Sequence, residues 1–100
     1  PFGRDRIIAV LRKRQKELRG RFGVKSLALF GSAARDNARK GSDIDLLVEF
    51  DRPAGFFMFC ELQDFLSDVL GGAEVDLVLR HAVIDDLKDI IYGGAVDVIG

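Results

Sequence analysis

The sequence predicts an α+β fold, a small mixed β-sheet covered by helices, with elements in the order α-β-α-β-α-β-α-β. Three observations carry this reading. Short runs of alternating apolar and polar residues recur along the chain, segments with helical apolar spacing separate them, and Gly-Gly or Gly-Ser pairs mark the junctions. One hundred residues, 48% hydrophobic and 31% charged, suit one folded domain, so residues 1–100 are expected to share a single core.

Residues 5–19 read as an amphipathic helix. Ile7, Ile8, Leu11 and Leu18 fall near one face, Arg and Lys fill the other, and Gly20 is the expected C-terminal cap. Val24 to Phe30 alternates as a strand, with Leu27 and Leu29 on one side and Ala28 and Phe30 on the other. Gly31 ends it, Ser32 caps a short helix over Ala33 to Asp36, and Asn37 to Gly41 forms a loop. Asp43 to Phe50 is the clearest strand. Ile44, Leu46, Val48 and Phe50 share one face, while Asp43, Asp45, Leu47 and Glu49 share the other.

Arg52-Pro53-Ala54-Gly55 breaks the chain before a helix over Phe57 to Leu70, whose stripe is Phe59, Leu62, Leu66, Val69 and Leu70. After Gly71-Gly72, Glu74 to Leu79 is a strand with Val75, Leu77 and Leu79 on one face and Asp76 on the opposite one. A helix near Ile84 to Ile91 carries Asp85 and Asp86 in its first turn, where the helix dipole favours acids. Gly93-Gly94 then leads to a last strand, Ala95 to Ile99. Half-buried alternating strands imply helices on one side of the sheet; the strand order is not fixed by the sequence.

Composition narrows the function classes. No apolar run approaches the roughly 18 residues that cross a bilayer, and Ile7 to Leu11 is too short, and too closely followed by Arg12-Lys13-Arg14, to be a signal peptide. The chain opens on Pro1 rather than Met, from which a trimmed start is expected. A lone cysteine, Cys60, excludes an internal disulfide, fits a reducing cytoplasm, and reads as a small buried hydrophobe on a helix. The net charge of −1 hides an asymmetry: residues 1–40 hold twelve Lys and Arg against three acids, and residues 41–100 hold three against thirteen. A basic half can meet triphosphates or acidic partners and an acidic half can collect metal, unless the two simply neutralise each other in the fold. Overall acidity disfavours non-specific nucleic-acid binding.

Two features ask for more than packing. In a strand, Asp43 and Asp45 project from one surface about 7 Å apart. Such like charges repel unless a cation or water lies between them, and hard oxygen ligands suit Mg²⁺ or Mn²⁺. Gly31-Ser32 follows a strand and opens a helix, where glycine admits a close phosphate and the helix start offers free N–H groups beside a hydroxyl. Either feature alone is common. A third carboxylate, Asp76, on the non-core face of a later strand makes the combination specific.

In these motifs the chain resembles a known family. Phe30-Gly31-Ser32, ten intervening residues and Asp43-Ile44-Asp45 look like the Gly-Ser…Asp-x-Asp signature of DNA polymerase β-like nucleotidyltransferases. Leu29 to Arg35, followed by Ser42 to Val48, is similar to the minimal nucleotidyltransferase (MNT, MntA-like) proteins of prokaryotes, and Val75-Asp76-Leu77-Val78 matches their third-carboxylate strand. The resemblance implies a polymerase β palm-like fold. It also implies metal held by Asp43, Asp45 and Asp76, with Asp76 helping to deprotonate or orient an attacking hydroxyl. Gly31 and Ser32 would hold the outgoing phosphates, with Arg35 as a further phosphate contact or a surface residue. The implied activity is transfer of AMP from ATP to a tyrosine of a HEPN-type toxin, with this chain as the antitoxin.

Two other readings stand beside it: a non-catalytic toxin-binding antitoxin module, and a small-molecule or RNA nucleotidyltransferase. The remaining polar and aromatic signals are read as structural. His81 is a loop or strand-end residue, Tyr92 anchors a helix end, and Glu49 lies too far along its strand to touch metal directly. Phe56, Phe57 and Phe59 are expected mostly in the core, with one or two rings available to a partner.

Overall fold

Leu11 and Leu18 stand seven residues apart, a step that suits one straight helix, yet the chain bends between them. The computed structural model describes residues 3–31, 43–80 and 95–100. In place of one helix over 5–19 it has two, α1 (Arg4–Lys13) and α2 (Gln15–Phe22). At the break the Arg14 N–H donates to the Leu11 carbonyl at 3.0 Å, a bond one residue shorter than the α-helical ladder. The bend lets α1 bury Ile7 and Leu11 while α2 buries Leu18 and Phe22. Gly20 lies inside α2, and the cap is Gly23, left-handed at φ 67°, whose N–H reaches the Arg19 carbonyl at 3.2 Å.

The remaining described elements are β1 (Val24–Phe30), β2 (Ile44–Phe50), α3 (Phe56–Val69), β3 (Val75–Leu79) and β4 (Val96–Ile99). They match the expected strands and long helix to within a residue at each end. The helices expected over Ala33 to Asp36 and Ile84 to Ile91 lie outside the described residues.

The four strands form one mixed sheet in the order β3-β2-β1-β4. β1 runs antiparallel to β2 and β4, and β2 runs parallel to β3, to which α3 connects it. One face carries the core, with Leu27, Leu29, Leu46, Val48 and Leu77 packed against Leu11, Leu18, Leu62 and Leu66. Burying each such side chain contributes roughly 1.5–3 kcal/mol, so this layer holds the sheet rigid. On the other face Ala28 and Leu47 are buried, with Phe30, Val78 and Ala95 beside them. That second face also presents Asp45 and Asp76. Among the described residues, no helix is long and apolar enough to cross a membrane.

Candidate active site

Parallel pairing of β2 with β3 sets Asp45 directly beside Asp76. Neighbouring strands lie about 4.8 Å apart, and residues in register point to the same face. The register is pinned at its start by the Ile44 N–H, which donates to the Glu74 carbonyl at 2.8 Å. Asp43 precedes β2 by one residue and is exposed. Three carboxylates thus gather where β2 and β3 begin. This bond to Glu74 was not legible in the sequence, because parallel register depends on how α3 returns the chain.

The electrostatics follow from the placement. Asp45 is half-buried, and its carboxyl is pushed above the ordinary aspartate value by that burial first, then by the charge of Asp76, then by that of Asp43. Among the described residues, no group of three or more acid, histidine or cysteine side chains closes into a ready-made metal cage. The arrangement is instead a crowded, under-neutralised set of hard oxygen donors.

Gly31 meets the same spot from β1. Phe30 pairs with Asp45 across the antiparallel ladder, so the chain leaves β1 at the level of that carboxylate. Gly31 is left-handed at φ 70°, and a Cβ built there would run into the Asp45 carboxylate, with its Cγ only 3.2 Å away. The strand-ending glycine is therefore favoured twice, by its left-handed backbone angle and because any side chain there would displace the Asp45 carboxylate. Ser32 and Arg35 lie outside the described residues, as do His81 and Tyr92.

The other residues singled out in the sequence sit apart from this cluster. Glu49 is four residues along β2 from Asp45, roughly 13 Å, and its Oε1 accepts a bond from the Ser26 hydroxyl at 3.3 Å. Phe59 packs against the core, whereas Phe56 and Phe57 are 74% and 81% exposed, so the expectation that core packing takes most of the trio is corrected. Cys60 lies on α3 as expected, but half-buried rather than in the core. Arg80, just beyond β3, which the sequence reading passed over, reaches Asp97 within β4 at 3.8 Å. Two clefts flank the turn around Pro53, one lined by Arg21, Phe22 and Met58 and the other by Glu49, Phe50 and Leu79. Both lie at the far end of β2 from the aspartates.

A mixed sheet helix-covered on one face, with a glycine turn and a carboxylate pair on the other, defines the class of polymerase β-like nucleotidyl transfer folds. The profile of the Nucleotidyltransferase domain family matches residues 10–98, and this chain belongs to that family. It is 36% identical over 93 residues to the protein adenylyltransferase MntA of Thermococcus cleftensis, covering 88% of this chain and 93% of that one. A Methanocaldococcus jannaschii protein with a provisional protein adenylyltransferase name is 49% identical over 89 residues, 83% of this chain and 90% of its own. A solved structure provisionally described as a minimal nucleotidyltransferase superposes with a TM-score of 0.78 at 28% identity, covering 95% of both chains. Another solved structure, the tri-AMPylated Shewanella oneidensis HEPN toxin in complex with MNT antitoxin, matches with a TM-score of 0.64 over 93% of this chain and 72% of that one. At 20% identity, that likeness speaks for the fold.

Proposed function

We propose that this nucleotidyltransferase is a metal-dependent protein adenylyltransferase that moves AMP from ATP to a tyrosine of a HEPN-type toxin and so acts as its antitoxin. The observation that carries the reading is the in-register pair Asp45 and Asp76, with Asp43 one pleat away and Gly31 against the same carboxylate. Relatives named protein adenylyltransferases across most of this chain support the reaction. The HEPN toxin bound to an MNT antitoxin in a protein of similar fold supports the partner.

The donor set fits Mg²⁺ or Mn²⁺. These ions take one or two carboxylates and complete their shell with water and substrate phosphates, so a closed protein cage is not required. A carboxylate whose proton affinity is raised by two like charges is also one that gains from a neighbouring cation. Asp43, Asp45 and Asp76 would hold the ions, which when bound supply charge neutralisation for the triphosphate and for the entering and leaving oxygens.

The chain's own residues do the positioning. The Gly31 backbone and Ser32 hydroxyl cradle the outgoing phosphates, and Arg35 adds positive charge beside them. Asp76, on the outer strand of the pair, orients the acceptor hydroxyl and takes up its proton. The tyrosine oxygen bonds to the α-phosphorus as the bond to the bridging oxygen of the β-phosphate breaks, and pyrophosphate leaves. Catalysis then rests on alignment and charge more than on covalent chemistry. Neither nucleic acid nor membrane enters the scheme, and a reaction that consumes ATP belongs in the cytoplasm.

The test is to incubate the chain with ATP, Mg²⁺ or Mn²⁺ and the protein encoded beside it, and to locate added AMP by mass spectrometry. AMP on a tyrosine of that protein, lost with Asp45→Asn, is the expected result. Label on RNA or on a small molecule would overturn the acceptor assignment. Undiminished inhibition of the toxin by Asp43→Ala/Asp45→Ala would replace catalysis with simple binding.

A further inference from the structure

Phe57, Glu61, Asp64 and Asp68 recur on α3 at steps of four, three and four, which places them on one stripe of the helix. All four are exposed, and beside them stands Phe56, whose ring meets that of Phe57 edge-on at 6.0 Å between centroids. α3 contains no Lys or Arg, and among the described residues none of the three acids has an ion-pair partner. Two exposed phenylalanines at the head of an unpartnered acidic stripe are unusual for a helix that faces only water.

The complementary surface is on the same molecule. Arg12 bonds the Val98 carbonyl at 3.1 Å, which marks the flank of α1 that faces β4. Arg6, Val10 and Lys13, at steps of four and three, share the opposite flank of α1, and α1 itself packs against α3. Arg21 continues this basic side on α2, its guanidinium over the rings of Phe22 and Phe65 at 4.7 and 5.7 Å. Phe22 of α2 and Phe65 of α3 touch at 5.1 Å, so the basic and acidic walls are neighbours across one valley.

We infer that this face binds a second copy of the chain. A two-fold axis along the valley lays the acidic stripe of each copy on the basic wall of the other, which is the self-complementary geometry of a symmetric dimer. It also covers four exposed phenylalanine rings. At about 150–250 Å² for each aromatic side chain, these rings bring on the order of 600 Å² to the contact, below the ≈1,000 Å² of a firm interface until the charged side chains add theirs. The dimer is accordingly weak, salt-sensitive and independent of the carboxylates on the other face of the sheet.

Sedimentation equilibrium between about 1 μM and 1 mM, a span suited to a weak interface, tests this on the intact chain. Self-association is expected in dilute salt and weakens at least tenfold in 0.5 M NaCl. Phe56→Ser/Phe57→Ser, which alters only exposed rings, weakens it by a similar factor. The decisive pair is Glu61→Lys/Asp64→Lys and Arg6→Glu/Lys13→Glu. Each variant alone is a monomer, since both walls then carry one sign, and an equimolar mixture forms the heterodimer because every facing pair is again opposite. A wild-type monomer throughout the range overturns the inference, as does a mixture of the variants that stays monomeric. Phenylalanine variants that lose binding to the neighbouring gene product, while wild type never self-associates, would hand the face to that partner instead.

Discussion

Asp45 and Asp76 occupy facing positions on adjacent parallel strands, one strand spacing apart, with their side chains on the same face of the sheet. Like charges set directly across a strand pair destabilise the fold, and β2 and β3 keep this pair although the core face of both strands is wholly apolar. Stability does not account for the arrangement; the metal-dependent function proposed above would, with a cation offsetting the two charges.

The first prediction follows from that repulsion. Asp76→Asn, in the absence of divalent metal at pH 7, raises the melting temperature. Because Asp76 is exposed, the gain is small, about 0.5 kcal/mol, which corresponds to about 2–4 °C in a domain of this size. Calorimetry in EDTA reads it, and a clear fall in melting temperature would contradict the electrostatic account. The same variant loses at least a hundredfold in nucleotide transfer.

The raised Asp45 carboxyl sets a pH dependence with a definite sign. In the unfolded chain the group titrates near its ordinary value of 3.8, and in the folded state it binds its proton at higher pH. The ionised form therefore weakens the fold above the folded value, and that penalty disappears as pH falls through it toward 3.8. Urea denaturation should find Asp45→Asn more stable than wild type at pH 7, with the gap closing by about pH 4. Protons also compete with the cation, so the melting temperature gained from added Mg²⁺ shrinks over the same interval.

Gly31→Ala combines two costs. Left-handed backbone at φ 70° costs an L-residue about 1–2 kcal/mol, and the new methyl displaces the Asp45 carboxylate. The variant should melt lower and lose more than tenfold in transfer activity even where it is fully folded, as measured by initial rates corrected for the folded fraction.

Gly23→Ala provides the contrast. It too is left-handed, and an added Cβ would come within 3.1 Å of the Asp51 Oδ1 and 3.2 Å of the Arg52 Nε, both ends of exposed side chains that can move aside. The loss is mainly the backbone cost of about 1 kcal/mol at a helix cap. Transfer activity per folded molecule stays at the wild-type level, because the turn lies at the far end of β2.

The sequence was most informative where periodicity and chemistry coincide. Alternation along Asp43 to Phe50 separated core face from site face correctly, and Asp76 stood out as the one acid among Val75, Leu77 and Leu79. What a single strand could not disclose was the register between strands, which depends on the Ile44 bond to Glu74 and on the path of α3. The break at Arg14 was hidden for a related reason, since a seven-residue apolar step fits both one straight helix and two bent ones. Gly20 and Gly23 both resemble caps on paper. Only the burial of Phe22, one turn beyond Leu18, decides between them. That one or two of Phe56, Phe57 and Phe59 could be exposed was legible, but not which ones, because apolar residues at a helix start read as core until a neighbour is shown to be missing.

The most direct test compares ATP labelled at the α-phosphate with ATP labelled at the γ-phosphate, each with Mg²⁺ and the protein encoded next to this one. The account predicts that α-label becomes covalently attached to that protein, that γ-label is released in pyrophosphate, and that Asp45→Asn abolishes the attachment. Attachment of the γ-label, or α-label transfer by Asp45→Asn at the wild-type rate, would contradict it.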